Sequence, residues 1–311
     1  MAPSKKQLKV LVTGPTGTTG RATVKELLDR GHIVSGLSRN PEKWGQHENY
    51  RPVKGSQLTD LEGLTKIVEG HDVVISAFAP SHSADLMTYC GLVEGAWRIK
   101  EATKQSATKP YLIYVGGAGS LLDPKSGKVC LDQPEATWST YLFHGPIEHL
   151  AWLRNVIKMP LFHVYYYVRE FGHSNSFGSS IARLYTNFFE KSMLSFLSNP
   201  ESLTMPHACR SALYYFEDDE TFDWSFLSPP WFYRDGPRTG EYGTTKDYQP
   251  ADEAGRFLGI SNADIAVALA DEAEEQKKRW VHWSAYARQK ETDSYYNNYR
   301  DLKFKRFEHD E

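Results

Sequence analysis

Between residues 8 and 117 the hydrophobic pattern switches repeatedly between two periods. LKVLVT is a short unbroken apolar run, as expected of a strand buried on both faces of a parallel sheet. TTGRATVKELLDRG follows, with Ala22, Val24, Leu27 and Leu28 at helical spacing and Gly31 as a C-terminal stop. HIVSGLS reads as the next strand and YRPVKGS as a weaker one. TDLEGLTKIVEG reads as a helix, with Thr59 expected to cap it and Glu62 to complete a capping box. DVVISAFAP is a strand, SADLMTYCGLVEGAWRIKEATKQS a long helix, and PYLIYVGG a further strand. Strands alternating with helices imply an α/β fold: a doubly wound, Rossmann-like parallel sheet covered on both faces.

After Gly119 the rhythm changes. SLLDPKSGKVCLDQPEATW carries the turn residues of a long loop, and residues 141–205 interrupt the alternation with aromatic clusters such as FHVYYYVREF and LYTNFFEKSMLSFL. A structureless loop of that length is unusual, so a large helical insertion before the sixth strand is expected. The alternation then resumes. HACRSALYYFEDDETF reads as a helix, DWSFLSPPWFY as strand and loop, SNADIAVALADEAEE as a helix capped by Asn262 or Ser261, and RWVHWSAY as a strand. The expected organisation is one nucleotide-binding domain over 1–286, carrying the insertion, and a charged C-terminal extension over 287–311.

The first strand-to-helix junction, VTGPTGTTGR, holds the chemistry. Gly14, Gly17 and Gly20 recur every three residues. One permits the tight turn, the next lets backbone amides approach a pyrophosphate, and the third lets the helix pack closely. The free amides and positive end of the helix would hold the phosphates. The second strand ends Leu37-Ser38-Arg39-Asn40, with no acid to hold a ribose hydroxyl and one guanidinium able to pair bidentately with a 2′-phosphate. NADP(H) is therefore favoured over NAD(H).

Composition narrows the picture further. A formal net charge of -3 gives no basic excess for nucleic acid. No run of about 18 apolar residues is present to span a membrane. The basic MAPSKKQLKV start has too short an apolar run for a signal-peptide core. Cys90, Cys130 and Cys209 are isolated, and His144, His149, His163 and His173 lack ligand spacing, so neither a disulfide framework nor a metal site is expected. The expected setting is cytoplasmic, with a small-molecule substrate. The 18 Tyr, 15 Phe and 8 Trp suit either a wide apolar pocket or a subunit contact.

Taken in order, VLVTGPTGTTG, LSRNPEKW, VISAFAP, YVGGAGSL, FDWSFLSPPWF, RTGEY and ISNADIAVALADEAE resemble the atypical short-chain dehydrogenase/reductases. The likeness is to compact NAD(P)H-binding proteins often labelled NADH-flavin reductases, relatives of biliverdin-IXβ reductase and of NmrA-like proteins. It covers residues 8 to about 135 and 206–286. The resemblance implies that the glycine turn with Thr16, Thr18 and Thr19 surrounds the pyrophosphate, and that Ser38, Arg39 and Asn40 lie at the adenosine 2′ position. It implies that Phe78, Ala79 and Pro80 run along the nicotinamide-side ribose and that the turn from Gly117 to Ser120 faces the nicotinamide. Pro229, Pro230 and Phe232 would shape the substrate pocket. Ser56 departs from the family pattern, where Asp is usual near adenine.

Standard members of the superfamily exchange a proton through a YxxxK tyrosine whose pKa the lysine lowers. YRPVK, YGTTK, YARQK and YRDLK occur here, none on the helix soon after the fifth strand, so all four are read as chance matches. The expected place has Tyr141 without a following Lys. Ser120, Tyr141 and His207 are the candidates for polar roles in catalysis; capping, packing and surface exposure are their plainer readings. A flavin, quinone or extended conjugated acceptor can take its proton from water, whereas a simple ketone needs a local acid. The expected function is an NADP(H)-dependent reductase of a conjugated aromatic, quinonoid or flavin-like molecule. An NmrA-like redox sensor, or a non-redox isomerase or dehydratase, are the alternatives. The insertion is expected to serve as a lid or as a homodimer contact.

Overall fold

Five parallel strands form first in the chain, because short β-branched runs bury both faces once helices cover them. The computed structural model describes residues 6–80, 86–133, 161–174, 176–197, 204–253, 255 and 257–288. The strands are β1 (Lys9–Thr13), β2 (Ile33–Ser38), β3 (Tyr50–Lys54), β4 (Val73–Ser76) and β5 (Tyr111–Val115). Helices α1 (Thr18–Asp29), α2 (Leu61–Val68) and α3 (Leu86–Gln105) alternate with them. Later come α4 (Leu161–His173), α5 (Ser179–Leu197), α6 (Thr204–Leu213) and α7 (Asn262–Glu275). The later strands are β6 (Trp224–Leu227), β7 (Phe232–Arg234), β8 (Tyr242–Lys246), β9 (Gly259–Ser261) and β10 (Val281–Ala287).

The main sheet has eight strands in the order β3-β2-β1-β4-β5-β6-β10-β8. All its pairings are parallel except β10 with β8. The doubly wound sheet expected from the alternating periods is thus present. Strand order reverses between β1 and β4, which opens a crevice at their carboxyl ends. Strand β3 forms one edge of the sheet. Its partner β2 bonds to Asn49 and Gly55 (Val34 N–H to Asn49 O, Gly55 N–H to Ser38 O). By the alternation of a parallel ladder, Arg51 and Val53 also turn inward, while Tyr50, Pro52 and Lys54 turn their amide positions outward.

One core layer packs Val10, Val12, Val34, Ile75, Ile113, Leu227 and Trp283 under α1 and α7. The other packs Leu11, Val74, Leu112, Tyr114 and Phe226 under α2, α3 and α6. The chain divides into two compact units: residues 1–133 with 200–287, and residues 134–199 with 288–311. Helices α4 and α5 belong to the second unit, in accord with the helical insertion expected there. Tyr165 of α4 bonds to Glu190 of α5 and stacks on Phe189.

Two helix boundaries differ from the sequence reading. Asp60, not Thr59, caps α2, its carboxylate accepting from Gly63 N–H at 2.7 Å. Glu62 pairs with Lys66 instead of reaching back to the cap. A carboxylate is the stronger acceptor for an orphan amide, and Asp60 stands one residue nearer the apolar run. Helix α6 starts earlier than expected and stops at Leu213, with Phe216 and Phe222 packing as loop residues. Ser261 caps α7, accepting from Asp264 N–H at 2.9 Å and donating to Pro237 O at 2.8 Å. Ser261→Ala removes both contacts at a fully buried site and is expected to cost about 1–2 kcal/mol. A lower urea midpoint at unchanged slope would register it.

Candidate functional site

The crevice between β1 and β4 is lined by backbone rather than by side chains. Gly14 adopts φ +70°, and a Cβ there would lie 2.6 Å from Ala77 O at the end of β4. A Cβ on Gly20 would run into the carbonyl of Gly14, lying 2.8 Å from its carbon. Both positions require glycine for the fold itself. Gly17 differs, since the nearest atom to its Cβ would be Gly14 O at 3.5 Å, an ordinary contact. Gly17 is the N-cap of α1, exposed, with an extended backbone and no side-chain cap. The amides of Thr18, Thr19 and Gly20 have no acceptor among the described residues. A helix N-terminus with three uncapped donors and an open approach suits an anion of pyrophosphate shape.

Thr16 is half-buried and Thr18 exposed beside this turn. The Thr19 hydroxyl is already engaged, 2.7 Å from Tyr233 Oη on β7. Burial raises the Tyr233 pKa above the usual tyrosine value and keeps that hydroxyl neutral. At the end of β2, the buried Ser38 hydroxyl has no partner, and Arg39 and Asn40 are exposed. Arg39 forms no ion pair among the described residues. Ser56, the departure from the family pattern, accepts from Leu58 N–H and shapes a turn.

The fourth strand's end is fixed by a residue that the sequence reading passed over. Buried Gln57 accepts from Thr13 Oγ1 at 2.6 Å and Ser76 Oγ at 3.0 Å, and donates to Gly95 O at 2.8 Å. One amide therefore ties β1, β4 and α3 together beneath the crevice. Phe78 packs its ring on Gly95, where a Cβ would come within 2.9 Å of it. Ala79 is exposed and Pro80 lies over Gly91.

After β5 the chain turns through Gly117 into a 3-10 turn, Ala118–Ser120. A Cβ on Gly119 would meet Pro206 O at 2.8 Å, and one on Gly117 would meet Cys209 Sγ at the same distance. This turn is seated directly on the first turns of α6. Burial pushes the Cys209 thiol up to about 12, which removes it as a nucleophile. Ser120 is 1% exposed and its hydroxyl donates to Gly117 O at 2.7 Å. His207 lies within α6 rather than before it, and is exposed. Tyr141 lies outside the described residues. Pro229 and Pro230 are buried after β6, and Phe232 is buried at the start of β7.

Two of the YxxxK matches fall on strands: Tyr50 with Lys54 on β3, and Tyr242 with Lys246 on β8. Four residues along a strand span about 13 Å, too far for a lysine to act on the phenol. Burial raises the Tyr50 pKa to about 12, and its hydroxyl donates to Pro41 O. Tyr242 donates to Asp271 at 2.7 Å. Lys290, Tyr299 and Lys303 lie outside the described residues. Among the described residues, no cluster of His, Cys, Asp and Glu could hold a metal ion, and no helix is long and apolar enough to cross a membrane.

A doubly wound sheet with an uncapped glycine turn at its reversal point defines a dinucleotide-binding protein of Rossmann type. A family model described as NAD(P)H-binding matches residues 14–142. Divinyl chlorophyllide a 8-vinyl-reductase of Arabidopsis thaliana is 34% identical over 33% of this chain and 26% of its own length. The 3 beta-hydroxysteroid dehydrogenase/Delta 5→4-isomerase of Mycobacterium tuberculosis is 31% identical over 37% of this chain and 27% of its own. The chain thus spans about a quarter of these curated relatives. Among solved structures, a Streptococcus pneumoniae protein assigned as an NADH-flavin reductase superposes with a TM-score of 0.58 at 20% identity, covering 90% of this chain and 99% of that one. A Bacteroides thetaiotaomicron protein assigned as an epimerase gives 0.59 at 22% identity, covering 91% and 98%. These two likenesses bear on the fold. Residues 14–142 thus match an NAD(P)H-binding family domain.

Proposed function

We propose that this protein is an NADP(H)-dependent reductase of a conjugated small molecule. The observation that carries the reading is the pairing of amides at Thr18, Thr19 and Gly20 with Arg39 and the Ser38 hydroxyl at the neighbouring strand end, none of which has a partner among the described residues. The amides would hold the pyrophosphate, and Ser38 and Arg39 the adenosine 2′-phosphate. The bound coenzyme would supply a hydride. Strands lie about 4.8 Å apart, so the turn after β5 stands about 10 Å from the glycine turn, two strands along the sheet. That span suits the distance from a pyrophosphate to a nicotinamide ring, which puts Ser120 on the side where an acceptor would dock. The enzyme's contribution is then position: the ring held face-on to the acceptor in a pocket walled by Pro229 and Pro230.

Arg39→Gln is expected to weaken NADPH binding by about 10–100-fold while leaving NADH binding within about twofold, since a charge-assisted bond of about 1.5–3 kcal/mol is lost only where the phosphate exists. Titration calorimetry with both dinucleotides checks the preference. Oxidation of NADPH with a panel of quinones, flavins and enones, followed at the nicotinamide absorbance, checks the activity. Tight NADPH binding without oxidation by any acceptor would replace the reductase with a redox sensor.

A further inference from the structure

Beside the carboxyl ends of β5 and β6, four polar side chains from four separate segments meet, with His282 Nε2 3.0 Å from Ser228 Oγ and 3.5 Å from Ser120 Oγ. Ser120 Oγ lies 2.7 Å from Ser228 Oγ. His282 Nδ1 lies 3.2 Å from Asp247 Oδ1. Ser120 follows β5, Ser228 follows β6, His282 is the second residue of β10 and Asp247 follows β8. The backbone locks them in place: Ser228 N–H donates to Trp283 O, Asp247 N–H to His282 O and Leu122 N–H to Asp247 O. His282 pairs with Phe226, one residue short of the carboxyl end of β6, and so stands beside Ser228 just beyond that end.

Ser120 and Ser228 are 1% and 0% exposed, and the His282 side chain 8%, while the Asp247 side chain is 37% exposed. Buried at one end and wet at the other, the cluster has the layout of a conduit. Asp247 also adopts φ +62°, a conformation that glycine takes with less strain, and what aspartate adds there is its carboxylate.

We propose that Ser120, Ser228, His282 and Asp247 form a proton relay that protonates the reduced acceptor, and that the acceptor is therefore a conjugated carbonyl. This rests on the reductase reading above and narrows its substrate class. With the imidazole doubly protonated, Nδ1–H donates to Asp247 and Nε2–H to Ser228. The Ser228 hydroxyl then donates to Ser120, whose own proton, resting on Gly117 O, can swing onto an acceptor. An enone or ketone that has taken a hydride carries one negative charge on its oxygen or on the adjoining carbon. The Ser120 O–H bond breaks as the new bond to the acceptor forms. The Ser228 proton moves to Ser120, and the Nε2 proton moves to Ser228. The acceptor ends neutral, the imidazolium ends as neutral imidazole still donating to Asp247, and solvent restores its proton after product leaves. A quinone yields a weakly basic anion and gains little from such a relay; an enolate or alkoxide gains much. Ser120 is the group placed to touch substrate, and His282 and Asp247 act through it.

The test compares wild type, His282→Gln and Asp247→Asn with NADPH and two acceptors, menadione and the aromatic enone benzylideneacetone. With the enone, His282→Gln is expected to lower kcat about 100-fold at unchanged KM, with Asp247→Asn intermediate. The loss with menadione is expected to be at least tenfold smaller. Equal losses with both acceptors would overturn the relay. The second readout is independent of turnover: nitrogen-15 spectra of His282 in the full-length protein should show Nδ1 protonated, and an unprotonated Nδ1 would overturn the relay. If the wild type oxidises NADPH with neither acceptor, the reductase reading fails by itself, and the imidazole spectrum still decides the hydrogen-bond cluster.

Discussion

Gly20→Ala is expected to abolish dinucleotide binding and unfold the chain at lower temperature, whereas Gly17→Ala weakens binding steeply with little loss of stability. The contrast follows from what each new methyl would meet. At Gly20 it would strike the carbonyl of Gly14, backbone against backbone, so relief requires α1 to move away from the turn. Forcing a methylene into a packed site costs about 1–3 kcal/mol where side chains can give, and more where only backbone can. At Gly17 the methyl would find ordinary contact at 3.5 Å, and φ -75° suits alanine. The cost to folding is then about 1 kcal/mol, the difference between a good and a poor N-cap. The same methyl would stand on the exposed approach to the amides of Thr18, Thr19 and Gly20. A weakening of NADPH binding by about 100-fold or more is expected, because backbone approach to the pyrophosphate is what the second glycine of such a turn permits. Thermal denaturation and fluorescence titration of both variants separate the outcomes. Tight binding by Gly17→Ala would mean that the turn does not grip phosphate.

Removing Glu26 is the second large effect. Its side chain, 5% exposed on α1, accepts from Arg238 at 2.7 and 2.9 Å and from Arg30 at 2.9 Å. Arg30 reaches on to Asp271 and Glu274 of α7. Beside it, buried Asp264 accepts from the amides of Thr239 and Gly240 and from the Thr239 hydroxyl. The RTGEY stretch is thus a strap that fastens onto α1 and α7. Glu26→Ala leaves Arg30 partly unmatched inside the protein and is expected to cost about 3 kcal/mol, read as a fall of about 6–12 °C in Tm. The hydrogen bond from Arg238 holds the Glu26 carboxyl below its ordinary value of 4.5, outweighing burial, which opposes it. A depressed folded-state pKa gives stabilisation that is complete above the unfolded value and lost as pH falls through the folded one. Wild type should therefore lose stability below about pH 4.5, and Glu26→Gln should lose less over the same interval.

The sequence carried the fold because periodicity is a property of neighbours. LKVLVT cannot be read as an amphipathic helix, and TTGRATVKELLDRG cannot be read as a strand. It carried the glycine turn for the same reason: Gly14, Gly17 and Gly20 lie within seven residues, and their spacing states their purpose. Gln57 and the cluster from Ser120 to Asp247 gave no such signal. Gln57 reaches Thr13 and Gly95 from 44 and 38 residues away. His282 meets Ser228 across 54 residues and Ser120 across 162. Each looks ordinary where it stands, and only the strand order β5-β6-β10-β8 brings them side by side. Ser120 was visible as a candidate because it follows a glycine-rich strand end; its partners were not. The α2 cap was misjudged by one residue, since Thr59 and Asp60 are both acceptors until geometry chooses between them.

Proline at the rim of the sheet has a bearing on assembly. With Pro52 facing outward from β3, that border lacks one amide hydrogen, and Arg51 and Lys54 are exposed on either side. A second molecule could not dock there by continuing the ladder without leaving a carbonyl unanswered and bringing like charges together. A pairing of two copies through a continued ladder must use the other border, β8.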